Sequence, residues 1–240
     1  MTSPSPARTD GRAADALRPV TLDLDVQTAP AGSARIRAGG TEVLLAVSIE
    51  DGGPRWRDRR GWVTAEYAML PGATDTRSAR ERRGVGGRSK EIERLVGRSL
   101  RAAVDLDALP DVTVTVDCDV LAADGGTRTA SITGGWVALA VALRRAGLAH
   151  ALIRQVAAVS VGIVDDAVLL DLDQREDNRA AVDMNVVAAD AGLLVEVQGT
   201  AEGAPFPRTQ HDALVDVALA GCGELMARQR AVLDAGGSGR

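Results

Sequence analysis

The chain has 240 residues, 45% of them hydrophobic and only 2% aromatic, with a formal net charge of −5. That length and apolar content support a substantial core of Val, Leu, Ile and Ala, in one domain or two small ones. The acidic balance excludes a uniformly basic protein that coats nucleic acid, and no apolar run reaches membrane-spanning length.

In chain order, Met1 to Asp10 is rich in Pro, Ser and Thr and reads as a flexible tail without the apolar stretch of a signal peptide. Val20 to Glu50 carries short alternating apolar runs, including Ile36, Val43, Leu45, Val47 and Ile49. Gly32 and Gly39-Gly40 punctuate them, the pattern of an antiparallel meander. Pro54 to Arg60 is basic and without period, hence a loop. Its Trp56 suits either stacking on a base or packing on the core. Gly61 to Leu70 reads as a strand and Gly72 to Gly87 as a second loop rich in arginine, with Arg77, Arg80, Arg82 and Arg83. Two arginine-rich loops in an acidic chain favour a patch that faces a polyanion over an ordinary solvated surface.

Ser89 to Val104 has the apolar spacing of a helix, with Ser89 as the expected N-cap. Val112, Val114, Val116, Cys118 and Val120 alternate as a strand does. After them comes Asp124-Gly125-Gly126-Thr127-Arg128-Thr129-Ala130-Ser131, then a helical run from Ile132 to Leu143. A strand, a glycine turn and a helix start can hold a phosphate: unpaired amides and the helix dipole face the anion, and Arg128 adds a planar fork. The same residues equally fit a plain helix start capped by Thr or Ser. Gly86-Gly87-Arg88 repeats the glycine–arginine–helix arrangement more weakly.

Val156 to Val164 and Val168 to Leu172 read as strands turning at Asp165-Asp166. Met184 to Ala189 and Leu193 to Gln198 form a second pair, turning at Ala191-Gly192. A last helix is expected from Thr209 to Leu233, and a Gly-rich tail from Asp234 to Arg240. The order of elements fits one α+β body over residues 11–233. Cys118 and Cys222 read as buried free thiols of a reducing cytoplasm, and no Cys or His spacing suggests zinc. His150 and His211 read as surface residues. Asp171 to Asn185 is dense in carboxylates. Asp177 and Asp183, at the two ends of a tight connection, can share one Mg²⁺, or one of them can act as a general acid. An anion cradle and an acidic pair in one chain point to phosphoryl chemistry.

Several segments carry a more specific signal: Gly11-Arg12, Leu17 to Val20, Gly61 to Tyr67, Gly87-Arg88, Ile92 to Arg101, Asp117 to Val120, Ala123 to Gly134, Asp183 to Val187 and Glu196 to Gly203. In this order they closely resemble the bacterial ribonuclease PH family, from Gly11 to the last helix. The resemblance implies a ribonuclease PH-like fold, with mixed sheets, packed helices and left-handed βαβ crossovers. It implies a phosphate-dependent 3′–5′ exoribonuclease and the reverse nucleotide addition, with inorganic phosphate as co-substrate and Mg²⁺ as cofactor. Transfer RNA precursors are the implied substrate, and a cytoplasmic homohexamer of three dimers the implied assembly. By position, Arg88, Gly126, Thr127 and Arg128 match the phosphate-binding residues. Asp177 and Asp183 match the catalytic, metal-holding acids, and Arg77 and Arg80 the RNA-contacting arginines. Gly72 follows Leu70-Pro71 where the family usually has arginine, and Asn178 replaces a small residue. A non-catalytic RNA-binding ring subunit is the competing expectation.

Overall fold

The computed structural model describes residues 8, 10–58, 60–81 and 84–237. Nine strands and four α-helices make up its body. The strands are Val20–Leu24 (β1), Gly32–Ala38 (β2), Thr41–Asp51 (β3), Trp62–Met69 (β4), Val112–Ala122 (β5), Val156–Val164 (β6), Ala167–Leu170 (β7), Val182–Ala189 (β8) and Leu193–Ala201 (β9). The helices are Gly87–Arg101 (α1), Thr127–Arg145 (α2), Gln174–Asp177 (α3) and Arg208–Gly237 (α4). The first sheet has the order β1-β2-β3-β5-β4 and the second β7-β6-β8-β9. Every pairing is antiparallel except β4 with β5, which α1 connects.

β3 and β5 alternate buried and partly exposed residues, as strands with one covered face should. β6 is buried at all nine positions, so its sequence shows no alternation. Both α2 and α4 pack against it. α2 also packs against β2 and β3 of the other sheet, and it is buried at every position from Thr129 to Leu143. α4 covers the second sheet and reaches β1. The hairpin between β6 and β7 turns on Asp165 and Asp166, both with positive φ, the conformation that tight two-residue hairpin turns require.

Some boundaries differ from expectation. α1 begins at Gly87 behind an extended Gly86, and Ser89 is not its cap. The Ser89 hydroxyl instead donates to Glu81 Oε1 at 3.0 Å. α2 begins five residues earlier than its apolar period suggested, because its first turn is polar yet buried. α3 carries too few residues to show a period. The tail expected from Asp234 is helical as far as Gly237, and 238–240 lie outside the described residues. Of the segment Met1 to Asp10, only Arg8 and Asp10 are among the described residues, and Arg8 is buried. Trp56 is 69% exposed and meets Trp62 edge to face, so it does not enter the core. Cys118 and Cys222 are buried free thiols. Among the described residues no helix is long and apolar enough to cross a membrane.

Candidate active site

The glycine turn leaves β5 and enters α2 through two residues of positive φ, Gly125 at 75° and Gly126 at 67°. Gly126 is the N-cap, and no side chain caps the first turn. The alternative, a Thr or Ser cap, is absent: Thr127, Thr129 and Ser131 lie within the helix, and their hydroxyls are engaged elsewhere. Thr129 Oγ1 donates to the Gly126 carbonyl at 2.9 Å, and Ser131 Oγ to the Thr127 carbonyl at 2.8 Å. Thr127 Oγ1 is 2.9 Å from the buried Tyr67 hydroxyl. The helix-start amides therefore face outward without a side-chain partner.

Gly125 also sits against the segment leading into α3. A Cβ there would lie 2.7 Å from the Leu172 carbonyl oxygen. Gly125→Ala is expected to destabilise the chain by about 2 kcal/mol or more, from the left-handed φ and the backbone clash together. Urea unfolding of wild type and variant checks this, and an unchanged midpoint would mean the turn can relax freely.

The acidic side is built differently. Asp173 caps α3 through a reciprocal capping box with Glu176, and Asp177 ends that single turn. Asp183 lies on β8, opposite Gly162 of β6 and Thr200 of β9. One cavity of about 400 Å³ joins both sides. Arg88, Gly126, Thr127, Arg128, Asp177 and Asp183 all line it. Asn185, two positions after Asp183 on the same strand face, lines it too. That period-two relation could have identified Asn185 from sequence. Ser160, Ser78 and Gln174 complete much of the wall and carried no such signal.

Charge in the cavity is balanced. Burial pushes Asp183 up to about 6, with the Asp177 carboxylate adding to the shift and Arg128 opposing it. Burial also raises Asp177, against the pull of Arg88 and Arg128. Among the described residues neither carboxylate forms an ion pair. Arg128 Nη1 is held by Gln198 Oε1 at 3.0 Å and Glu91 Oε1 at 3.2 Å. Gln198 in turn donates to Glu91 at 3.0 Å, and this bond, with the Arg128 charge, lowers the Glu91 carboxyl. Gln198 and Glu91 thus orient Arg128, a role the sequence did not disclose.

Arg77 and Arg80 do not line this cavity. Both are exposed, and Arg80 lines an adjoining cleft of about 790 Å³ together with Arg88. Arg82 and Arg83 of the same loop lie outside the described residues. A Cβ at Gly72 would meet nothing within 4 Å, so packing does not demand glycine there.

A helix start with free amides and two arginines faces two carboxylates across one cavity, an arrangement suited to phosphate esters. The sequence models of the 3′ exoribonuclease family match residues 16–144 as domain 1 and residues 154–221 as domain 2, and the chain belongs to that family. It is 56% identical over 239 residues to a protein of Saccharopolyspora erythraea named Ribonuclease PH, covering 95% of each chain. A Nocardia farcinica protein of the same name is 56% identical over 236 residues, covering 94% of this chain and 92% of the relative. Among solved structures, Rrp46 of rice (Oryza sativa) shares the fold at a TM-score of 0.80 and 21% identity, covering 94% of this chain and 100% of that one. A chain of the Archaeoglobus fulgidus exosome with RNA bound to the active site gives a TM-score of 0.77 at 26% identity, covering 92% of each.

Proposed function

We propose that this cavity carries out phosphorolysis at the 3′ end of RNA. The chain is a phosphate-dependent 3′–5′ exoribonuclease. An oxygen of inorganic phosphate attacks the phosphorus of the terminal nucleotide. The bond to the 3′-oxygen of the preceding nucleotide breaks, releasing a nucleoside 5′-diphosphate and a shortened RNA with a 3′-hydroxyl. The supporting observation is the shared cavity. Arg88, Arg128 and the Gly126–Thr127 turn form its cationic side, and Asp177 and Asp183 its anionic side.

Two phosphates brought within a few ångström repel strongly, so the site must neutralise them. The fork of Arg128 and the helix-start amides suit the attacking phosphate. Asp177 and Asp183, with the Asn185 side chain beside them, offer oxygen donors of the kind Mg²⁺ prefers, and neither carboxylate forms an ion pair among the described residues. These residues would hold the ion, which would supply positive charge beside the scissile phosphate. The alternative role for Asp183 is that of general acid: when no ion is bound, burial raises its carboxyl, which favours holding a proton for the departing 3′-oxygen.

Transfer RNA precursors are the proposed substrate and a homohexamer of three dimers the proposed assembly. Two buried free cysteines fit a reducing cytoplasm. Incubation with short RNA, Mg²⁺ and phosphate should yield nucleoside diphosphates. Monophosphates formed without phosphate would mean hydrolysis, and RNA retention with no turnover at any phosphate concentration would mean a binding subunit.

The exposed Arg77 and Arg80 are proposed to meet the RNA backbone. Replacing both by alanine should weaken RNA binding and reduce the slope of log affinity against log salt by about 2, one unit for each lost phosphate contact. Filter binding across a salt series measures this; an unaltered slope would place these side chains away from RNA.

A further inference from the structure

We infer that Arg18 is a positioning residue, which sets the separation between the phosphate cradle and the carboxylate pair. This rests on the phosphorolysis reading of the cavity. The cradle belongs to the turn between β5 and α2, and the carboxylates to α3 and β8. Their alignment therefore depends on whatever ties the turn to the segment leading into α3.

Arg18 makes that tie. Its guanidinium, buried beneath the turn, forks onto the Asp171 carboxylate, with Nε at 3.1 Å from Oδ2 and Nη2 at 2.7 Å from Oδ1. Its backbone N–H donates to the same Oδ2 at 2.8 Å. The other edge of the group reaches the turn. Nη1 donates to the Asp124 carbonyl, and Nη2 lies 3.4 Å from the Gly125 carbonyl. One planar side chain thus holds both partners of the joint. Lysine cannot replace it, because an ammonium lacks the fork.

Further contacts brace the turn and the α3 segment. Gln174 N–H donates to Asp124 Oδ1 at 3.3 Å. On the turn's far side the buried Thr41 hydroxyl donates to the Gly125 carbonyl at 2.6 Å and accepts from Asp124 N–H at 2.9 Å. Behind α3, Arg8 forks onto Glu176, the capping-box acid, at 2.8 and 2.6 Å. Arg18 does not line the cavity and bonds neither Asp177 nor Asp183, so it acts through the backbone that carries the cradle and the carboxylates.

The test compares Arg18→Lys and Thr41→Val with wild type, with rates normalised to folded protein. Alignment governs the chemical step more than ground-state binding, and a misplacement on the order of 1 Å costs up to about 100-fold. Expected is a roughly 10- to 100-fold lower kcat for each variant, with the KM for phosphate and the affinity for RNA within about threefold of wild type. The double variant should lose less than the product of the two single losses, since both loosen the same turn, Arg18→Lys from the α3 segment and Thr41→Val from β3. A lower melting temperature with unchanged kcat per folded molecule would overturn the proposal and make Arg18 a stability residue. A raised phosphate KM with kcat intact would also overturn it. If Arg18→Lys does not fold, Asp171→Asn, which weakens the other partner of the same fork, decides by the same readouts. If wild type itself releases no nucleoside diphosphate, the reading of the cavity fails and this proposal with it.

Discussion

Asp183→Asn is expected to lower kcat by roughly 10²- to 10⁴-fold, the range for loss of a positioned acid–base group, while leaving RNA retention intact. The substitution keeps the shape and removes the charge. It should also change stability in a direction set by the Asp183 environment. Burial and the Asp177 carboxylate raise the Asp183 carboxyl to about 6, so the folded chain disfavours its ionised form. The penalty is fully present above that value and fades as pH falls toward the usual 3.8 of the unfolded chain. In a chelating buffer at pH 8, asparagine should therefore raise the melting temperature by a few degrees, or about 1–2 kcal/mol after allowance for solvent screening. Near pH 4 the two proteins should melt alike. A variant that is less stable at pH 8 would mean that Asp183 has a stabilising partner in the folded chain. Substantial remaining turnover would remove Asp183 from the chemistry.

Arg128→Ala is expected to reduce kcat/KM for phosphate by roughly 10²- to 10³-fold, the loss typical of removing one preorganised donor to a reacting oxyanion. RNA affinity should change by no more than about threefold, because phosphate contacts along the RNA backbone are spread over many groups. Gln198 and Glu91 hold Nη1 in place, so the guanidinium is already oriented by the protein itself. Arg128→Lys should recover little, since an ammonium offers neither the plane nor the second donor pair. Phosphate titrations beside filter binding separate the two effects. Parallel losses in both would show that Arg128 binds RNA and not the attacking ion.

Much of this was readable before any coordinates. The alternation of β3 and β5 follows from one covered face, and the glycines before Thr127 mark a turn that other residues would strain. The family resemblance rests on blocks such as Ala123 to Gly134, long enough to be specific. Other features were hidden for physical reasons. β6 has two covered faces and so no alternation. α3 is a single turn, visible only as the Asp173 and Glu176 spacing of its capping box. Ser89 has the residue type of a cap, but a loop carboxylate captured its hydroxyl. The ties of Arg8 to Glu176 and of Arg18 to Asp171 join residues 168 and 153 positions apart, and no local pattern encodes such pairs. Gln198 and Glu91 became neighbours of Arg128 only when β9 and α1 converged on it.

The position of α2 between the sheets has a consequence for biosynthesis. A nascent chain that has emerged only as far as Arg145 already holds the arginines and the glycine turn, but β6, the second covering of α2, has not yet been made. Asp177 and Asp183 leave the ribosome later still. The half-made protein thus leaves exposed the face of this helix that β6 covers later, and the cavity stays incomplete until Asp177 and Asp183, both in the last third of the chain, have been made.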